Sequence, residues 1–207
     1  GVLMPLVLQL ASKIALKLTM WRMHLTGKLA PLVIILGPTA IGKTGLAIEI
    51  AQALHGEIVG ADSRQIYEYM DIGTAKPTSK EQENAVHHLI DCVKPDEDFT
   101  LAQYQDKAYS AIDDISNRSK LPLLVGGTGQ YLTAIEEGWS IPRVPPNEVV
   151  RQELYAEVER IGRDAFHAKL ESVDPESAEK IHPNNVRRVV RALEVYRETG
   201  TAISVLQ

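Results

Sequence analysis

The chain has 207 residues, 44% apolar and 24% charged, which suits one good core with room for a small extra lobe. A single cysteine, Cys92, rules out an internal disulfide and suits a reducing, cytoplasmic setting. The net charge of −5 is unevenly spread (residues 1–43 carry five basic and no acidic side chains, residues 44–140 carry 7 and 16, residues 141–207 carry 10 and 11), so bulk charge gives no support to nucleic-acid binding and any such site must be a local patch.

In chain order, Val2 to Ser12 is apolar but too short to span a bilayer, so no membrane association is expected. Its cations Lys13, Lys17, Arg22 and Lys28 follow the apolar run, the reverse of a signal peptide. A targeting or regulatory extension, organellar import included, and a misassigned start fit residues 1–30 equally. Leu32-Val33-Ile34-Ile35-Leu36 reads as a buried strand and Gly45 to Leu54 as a helix. Between them Gly37-Pro38-Thr39-Ala40-Ile41-Gly42-Lys43-Thr44 fits the phosphate-loop pattern G-x-x-x-x-G-K-[ST] in the context the pattern requires. Glycines let successive N–H groups wrap an anion, the helix N-terminus and Lys43 add positive charge, and the Thr44 hydroxyl can hold Mg²⁺. A di- or triphosphate ligand follows, with ATP the default for such a loop.

Glu57 to Ala61 reads as the next strand, ending at Asp62-Ser63, and His88-Leu89-Ile90-Asp91 as a short third one. A helix runs from about Leu101, with Thr100 as a candidate N-cap, to Ser116. Leu121 to Val125 is a strand broken at Gly126-Gly127-Thr128-Gly129, after which Tyr131 to Glu137 is helical. The alternation implies an α/β fold, a parallel sheet flanked by helices of the P-loop NTPase-like kind, with ligands outside the carboxyl ends of the strands. From Ile141 the texture changes to an all-helical lobe. Asn147 caps a helix through Ile161 that stops at Gly162, another follows from Asp164 to about Val173, and Asp174-Pro175 opens a third. Val186 to Thr199, closed by Gly200, is the last.

Asp62 is the leading candidate for chemistry. Beside a phosphate site its carboxylate can act as general base or bond the waters around Mg²⁺, and it can equally cap a helix. Gly126–Gly129 implies positive φ or close backbone approach, with Thr128 offering a hydroxyl, or simply a tight turn. Asp91 resembles a Walker-B acid loosely. Arg187, Arg188 and Arg191, with Arg151, suit bidentate phosphate binding or form a solvated face. The six histidines show no metal-ligand spacing and are expected to be structural or surface residues.

Three segments together resemble the tRNA dimethylallyltransferases: Gly37–Thr44, Asp62-Ser63-Arg64-Gln65-Ile66-Tyr67, and Met70-Asp71-Ile72-Gly73-Thr74-Ala75-Lys76-Pro77. His87 to Asp91, Leu124 to Tyr131, and His182 to Asn185 with the arginines extend the likeness over about Leu32 to Ser204. The resemblance implies that Gly37, Pro38, Thr39, Ala40, Ile41, Gly42, Lys43 and Thr44 bind the diphosphate of dimethylallyl diphosphate with Mg²⁺ at Thr44, and hydrolyse no nucleoside triphosphate. It implies transfer of the allyl group to the exocyclic amine of the adenosine next to the anticodon of tRNA. Asp62 would be the base, Lys43 and Thr44 would stabilise the leaving group, and Thr128 would orient the acceptor. Asp62, Ser63, Arg64, Gln65, Thr128, Arg151, Arg187, Arg188 and Arg191 would contact tRNA.

On this reading residues 1–30 are an extension, 31–140 the catalytic core, 141–182 a helical insertion for tRNA, and 183–207 an arginine-bearing helix returning to the core. Family members continue beyond the equivalent of Gln207, so the expectation is a C-terminally truncated chain, acting as a monomer. The alternatives are a P-loop kinase of a nucleoside or metabolite, an isopentenyltransferase acting on free adenine nucleotides, and a non-catalytic nucleotide- or RNA-binding module.

Overall fold

In the computed structural model, which describes residues 15–22 and 27–206, the alternating stretches of the first part of the chain form a five-stranded sheet. Its strands are β1 (Ala15–Arg22), β2 (Leu29–Leu36), β3 (Gly56–Ala61), β4 (His87–His88) and β5 (Leu121–Gly126), in the order β1-β2-β5-β3-β4. The apolar run Val2–Ser12 lies outside the described residues.

Period-two patterning decides which helix covers which face. Leu32, Ile34, Val59 and Leu124 point to one side, where they pack on α3 (Leu101–Asn117) and α4 (Gly129–Glu136). Val33, Ile35, Ile58 and Leu123 point to the other, against α1 (Lys43–Leu54). Leu32 and Leu124 are fully enclosed, and truncating either to alanine should cost about 2–5 kcal/mol.

β2, β5, β3 and β4 run parallel, as expected. β1 does not: it pairs antiparallel with β2, from Ala15 opposite Leu36 to Arg22 opposite Leu29, so the sheet is mixed. The residues of β1, Ala15–Arg22, fall within the extension 1–30, for which the sequence reading assigns no element. The third strand is also shorter than expected. Leu89 (φ 60°) and Asp91 (φ 50°) adopt left-handed backbone, which ends β4 at His88. A short helix absent from the sequence reading, α2 (Ser79–Asn84), precedes β4 and is opened by a capping box between Thr78 and Glu81. Thr100 caps α3 with the same device, using Gln103.

Glu57 of β3 is a charged residue in the wall of the core, 2% exposed. Arg118 grips it with two bonds of 2.6 and 2.8 Å, Lys120 adds one of 2.6 Å, and His88 lies at 2.7 Å. The Arg118 bonds hold its carboxyl far below the usual range, against the opposing effect of burial. One carboxylate thus ties the end of α3 to β3, β4 and the start of β5.

The chain divides between Gly138 and Trp139 into two units. Among its described residues the elements of the second are all helices: α5 (Glu148–Ile161), α6 (Arg163–Val173), α7 (Pro175–Lys180), α8 (Val186–Thr199) and α9 (Ile203–Leu206). Leu154, Phe166, Leu170, Val190 and Val195 share one core, so α8 packs with α5 and α6. The caps read from sequence are present. Asn147 accepts from the N–H groups of Val149 and Val150, and Asp174 from that of Ser177, while Gly200 (φ 68°) turns the chain out of α8. Asp174 also accepts from the Ser204 hydroxyl at 2.6 Å and so anchors α9, which sequence reading missed.

Candidate active site

Leu36 of β2 pairs with Gly126 of β5, and Gly126 with Ala61 of β3. The chain leaves all three strands at this one level, so Gly37, Gly127 and Asp62 emerge together. Only glycine fits the middle of the row. A Cβ on Gly126 would lie 2.0 Å from the Ala61 carbonyl oxygen, and one on Gly127 3.3 Å from that of Gly37 and 4.0 Å from Asp62 Oδ2. Neither glycine has positive φ, so of the two reasons for glycine here, close backbone approach is the operative one.

Ala40 (φ 65°) and Gly42 (φ 91°) turn the phosphate loop into α1. No side chain caps this helix and no acidic residue occupies its first turn, which leaves its N–H groups and its positive end to an anion. Lys43 Nζ donates to the Pro38 carbonyl at 2.6 Å. Burial lowers the Lys43 pKa, and the nearby Asp62 carboxylate opposes that shift. A partly desolvated cation beside open amides is suited to neutralising a phosphate.

Asp62 divides its two oxygens. Oδ1 accepts from the N–H groups of Arg64 (2.9 Å) and Gln65 (3.4 Å), capping the turn that follows β3. Oδ2 has no hydrogen-bond partner among the described residues, and it is the oxygen nearer Gly127. The capping role and a chemical role are therefore compatible in one side chain. Thr128 Oγ1 accepts from Ser63 N–H at 3.0 Å and donates to Ser63 Oγ at 3.3 Å, joining the two turns. Below them Tyr131 stacks on Tyr104 with centroids 3.8 Å apart, and Tyr104 donates to the Gly60 carbonyl at 3.1 Å. Burial, with Tyr67 and Asp62 adding to it, pushes Tyr131 up to about 12.

The segment from Asp71 to Pro77 is fastened by two residues. Gln65 Nε2 donates to the carbonyls of Thr74 and Ala75, both at 3.0 Å. Lys76 Nζ reaches the Tyr67 carbonyl at 3.0 Å, and Asp71 and Asp91 at 2.6 Å each. Asp91, loosely Walker-B-like in sequence, is thus engaged by Lys76. Spacing alone gave no hint of this clamp, because its partners lie up to 15 residues apart across two turns.

The arginines belong to the second unit, and their environments differ. Arg191 bonds Glu194 at 2.8 Å and the Val144 carbonyl at 2.7 Å, and Arg151 Nε lies 3.0 Å from Glu194. Glu194 is fully enclosed and also accepts from the Asn147 N–H at 2.7 Å. Arg187 and Arg188 are exposed and form no ion pair among the described residues. Of the four, these two present unpaired guanidinium groups.

The described residues contain no group of three or more His, Cys, Asp or Glu able to hold a metal. The Thr44 hydroxyl, in the first turn after the loop, does suit Mg²⁺ that arrives on substrate phosphates, which takes one or two protein donors and keeps several waters. No helix among the described residues is long and apolar enough to cross a membrane.

The family model described as IPP transferase matches residues 65–207. The chain belongs to the IPP transferase family. The match begins at Gln65, just past Asp62, but likeness to individual IPP transferases reaches further. The tRNA dimethylallyltransferase of Roseiflexus castenholzii is 58% identical over 174 residues, 84% of this chain and 57% of that protein. That of Chloroflexus aurantiacus is 57% identical over 176 residues, covering 85% and 60%. The chain therefore spans little more than half the length of these curated relatives. Among solved structures, a eukaryotic dimethylallyltransferase acting on tRNA gives a TM-score of 0.65 at 32% identity, over 84% of this chain and 43% of that one. The full-length tRNA isopentenylpyrophosphate transferase of Bacillus halodurans gives 0.51 at 46% identity, over 81% and 55%. The P-loop NTPase-like core of these IPP transferases is the fold expected from the sequence.

Proposed function

We propose that this chain carries the catalytic core of an enzyme that moves the dimethylallyl group of dimethylallyl diphosphate onto the exocyclic amine of the adenosine adjacent to the anticodon in tRNA. The observation that carries the reading is the row Leu36–Gly126–Ala61, which gathers the phosphate loop, Asp62 and Thr128 at one edge of the sheet in a chain of the IPP transferase family.

The chemistry follows from these residues. The open amides of α1 and the ammonium of Lys43 hold the diphosphate. As the allylic C–O bond breaks, its electron pair leaves with the diphosphate, and the same groups stabilise the charge that accumulates there. Thr44 would hold Mg²⁺, which when bound adds further neutralisation of the diphosphate. The adenine amine is a poor nucleophile because its lone pair is delocalised into the ring. Asp62 Oδ2, unspent in capping, accepts its hydrogen bond and takes the proton as the N–C bond forms. Thr128, fixed by Ser63, orients the acceptor. The base has to leave the anticodon stack to reach these groups. Arg187 and Arg188 would meet the RNA backbone directly, whereas Arg151 and Arg191 reach it only by sharing or leaving Glu194.

Calorimetry with dimethylallyl diphosphate against ATP tests the ligand of the loop. The reading expects binding of the allylic diphosphate with Mg²⁺, and tight ATP binding without it would sink the proposal.

A further inference from the structure

His87 is expected from sequence to be structural, and its ring has one nitrogen left over. As the register partner of Ile58 it stands on the face of the sheet that α1 covers, while His88 faces Glu57 on the other. Nδ1 lies 2.8 Å from the Ala85 carbonyl. A carbonyl only accepts, so Nδ1 carries the proton. Burial lowers the ring's pKa, and the neutral ring presents a lone pair at Nε2. That atom is shielded from bulk solvent and has no partner among the described residues, and a buried acceptor left unmet is destabilising.

Nε2 belongs to a ring lining a cleft of about 20 Å³ whose wall also includes Thr44, Gly60, Gln65 and Pro77. That is room for one water. Gln65 has spent its amide on Thr74 and Ala75, which leaves the Thr44 hydroxyl as the side-chain donor on the wall. We propose that His87 is a positioning residue: one bridging water donates to its Nε2 and accepts from the Thr44 hydroxyl, which turns the Thr44 oxygen lone pairs toward the ligand of the phosphate loop. A hydroxyl that offers its oxygen to Mg²⁺ must send its own proton elsewhere, and this cleft supplies the acceptor. The inference rests on the diphosphate reading of the loop.

The test is calorimetry of the full chain with inorganic pyrophosphate and Mg²⁺, alongside melting temperatures. His87→Phe should bind about tenfold more weakly, and His87→Gln, whose Oε1 can stand where Nε2 was, should recover most of that loss. In a Thr44→Val background the His87→Phe penalty should vanish, which a loss of packing alone would not produce. Should His87→Phe fail to fold, His87→Asn keeps the bond to Ala85, withdraws the acceptor and carries the same expectation. Undiminished affinity in these variants, or a penalty that survives in Thr44→Val, overturns the role of His87. A wild-type chain that binds no pyrophosphate contradicts the diphosphate reading itself and removes this role with it.

Discussion

Thr128 Oγ1 lies 3.0 Å from the N–H of Ser63, so the turn after β5 is bonded to the turn after β3 beside Asp62. A single hydroxyl thereby sets the spacing between the proposed base and the helix that follows it. Thr128→Val keeps the shape and removes the bond. Prenyl transfer to an anticodon stem-loop should fall about tenfold or more, with Thr128→Ser close to the original. Equal rates for Thr128→Val and the unaltered protein would remove the hydroxyl from the mechanism.

Gly126 is the tightest point of the row, since a side chain there would drive into the Ala61 carbonyl at 2.0 Å. Gly126→Ala should destabilise the first unit by about 3 kcal/mol through forced strand separation. Chemical denaturation measures this, and it should be accompanied by loss of pyrophosphate binding as the three strand ends move apart.

Lys43 should supply much of the affinity for an anion. Lys43→Met is expected to weaken pyrophosphate binding about 100-fold at neutral pH, with the fold retained. Because burial lowers the Lys43 pKa, affinity of the unaltered protein should begin to fall with rising pH before the ordinary lysine range is reached. A pH titration of pyrophosphate binding reads this directly.

Glu57 makes a pH prediction of the opposite sign. Its carboxyl is depressed in the folded protein, chiefly by Arg118, so the unfolded state binds a proton first as acidity rises. The stabilisation is therefore full above the ordinary glutamate pKa of 4.5 and drains away below it, toward the depressed folded value. Glu57→Gln should cost about 3 kcal/mol at pH 7, at the lower end for a broken buried pair because Arg118 and Lys120 can still reach water. Stability of the variant should then be flatter than that of the parent across acid pH.

Much of this was legible in the sequence where the information is local. The phosphate loop needs only a strand, eight residues and a helix, and Thr100, Asn147 and Asp174 cap helices through atoms two or three residues away. What lay hidden depends on partners distant in the chain. Glu57 meets Arg118 across 61 positions and Arg191 meets Val144 across 47, and a charged residue inside a strand or helix carries no mark of a burial that only tertiary contact creates. β1 escapes sequence reading for another reason: Leu18 and Met20 are 70% and 56% exposed, so its apolar positions mark no buried face. Hydropathy alone extends β4 to Asp91, because it cannot report the left-handed backbone of Leu89 and Asp91.

The central claim is that Asp62 serves as the base of a prenyl transfer and not as an anchor for the diphosphate. Asp62→Asn retains an oxygen that can accept from Arg64 and Gln65 but cannot take up a proton at neutral pH. Single-turnover transfer from dimethylallyl diphosphate to an anticodon stem-loop, measured beside calorimetric pyrophosphate binding, separates the two roles. The account predicts a rate lower by roughly 100- to 10,000-fold with diphosphate affinity within about threefold of the parent. An unchanged rate, or a rate that falls only in step with lost diphosphate binding, would contradict it.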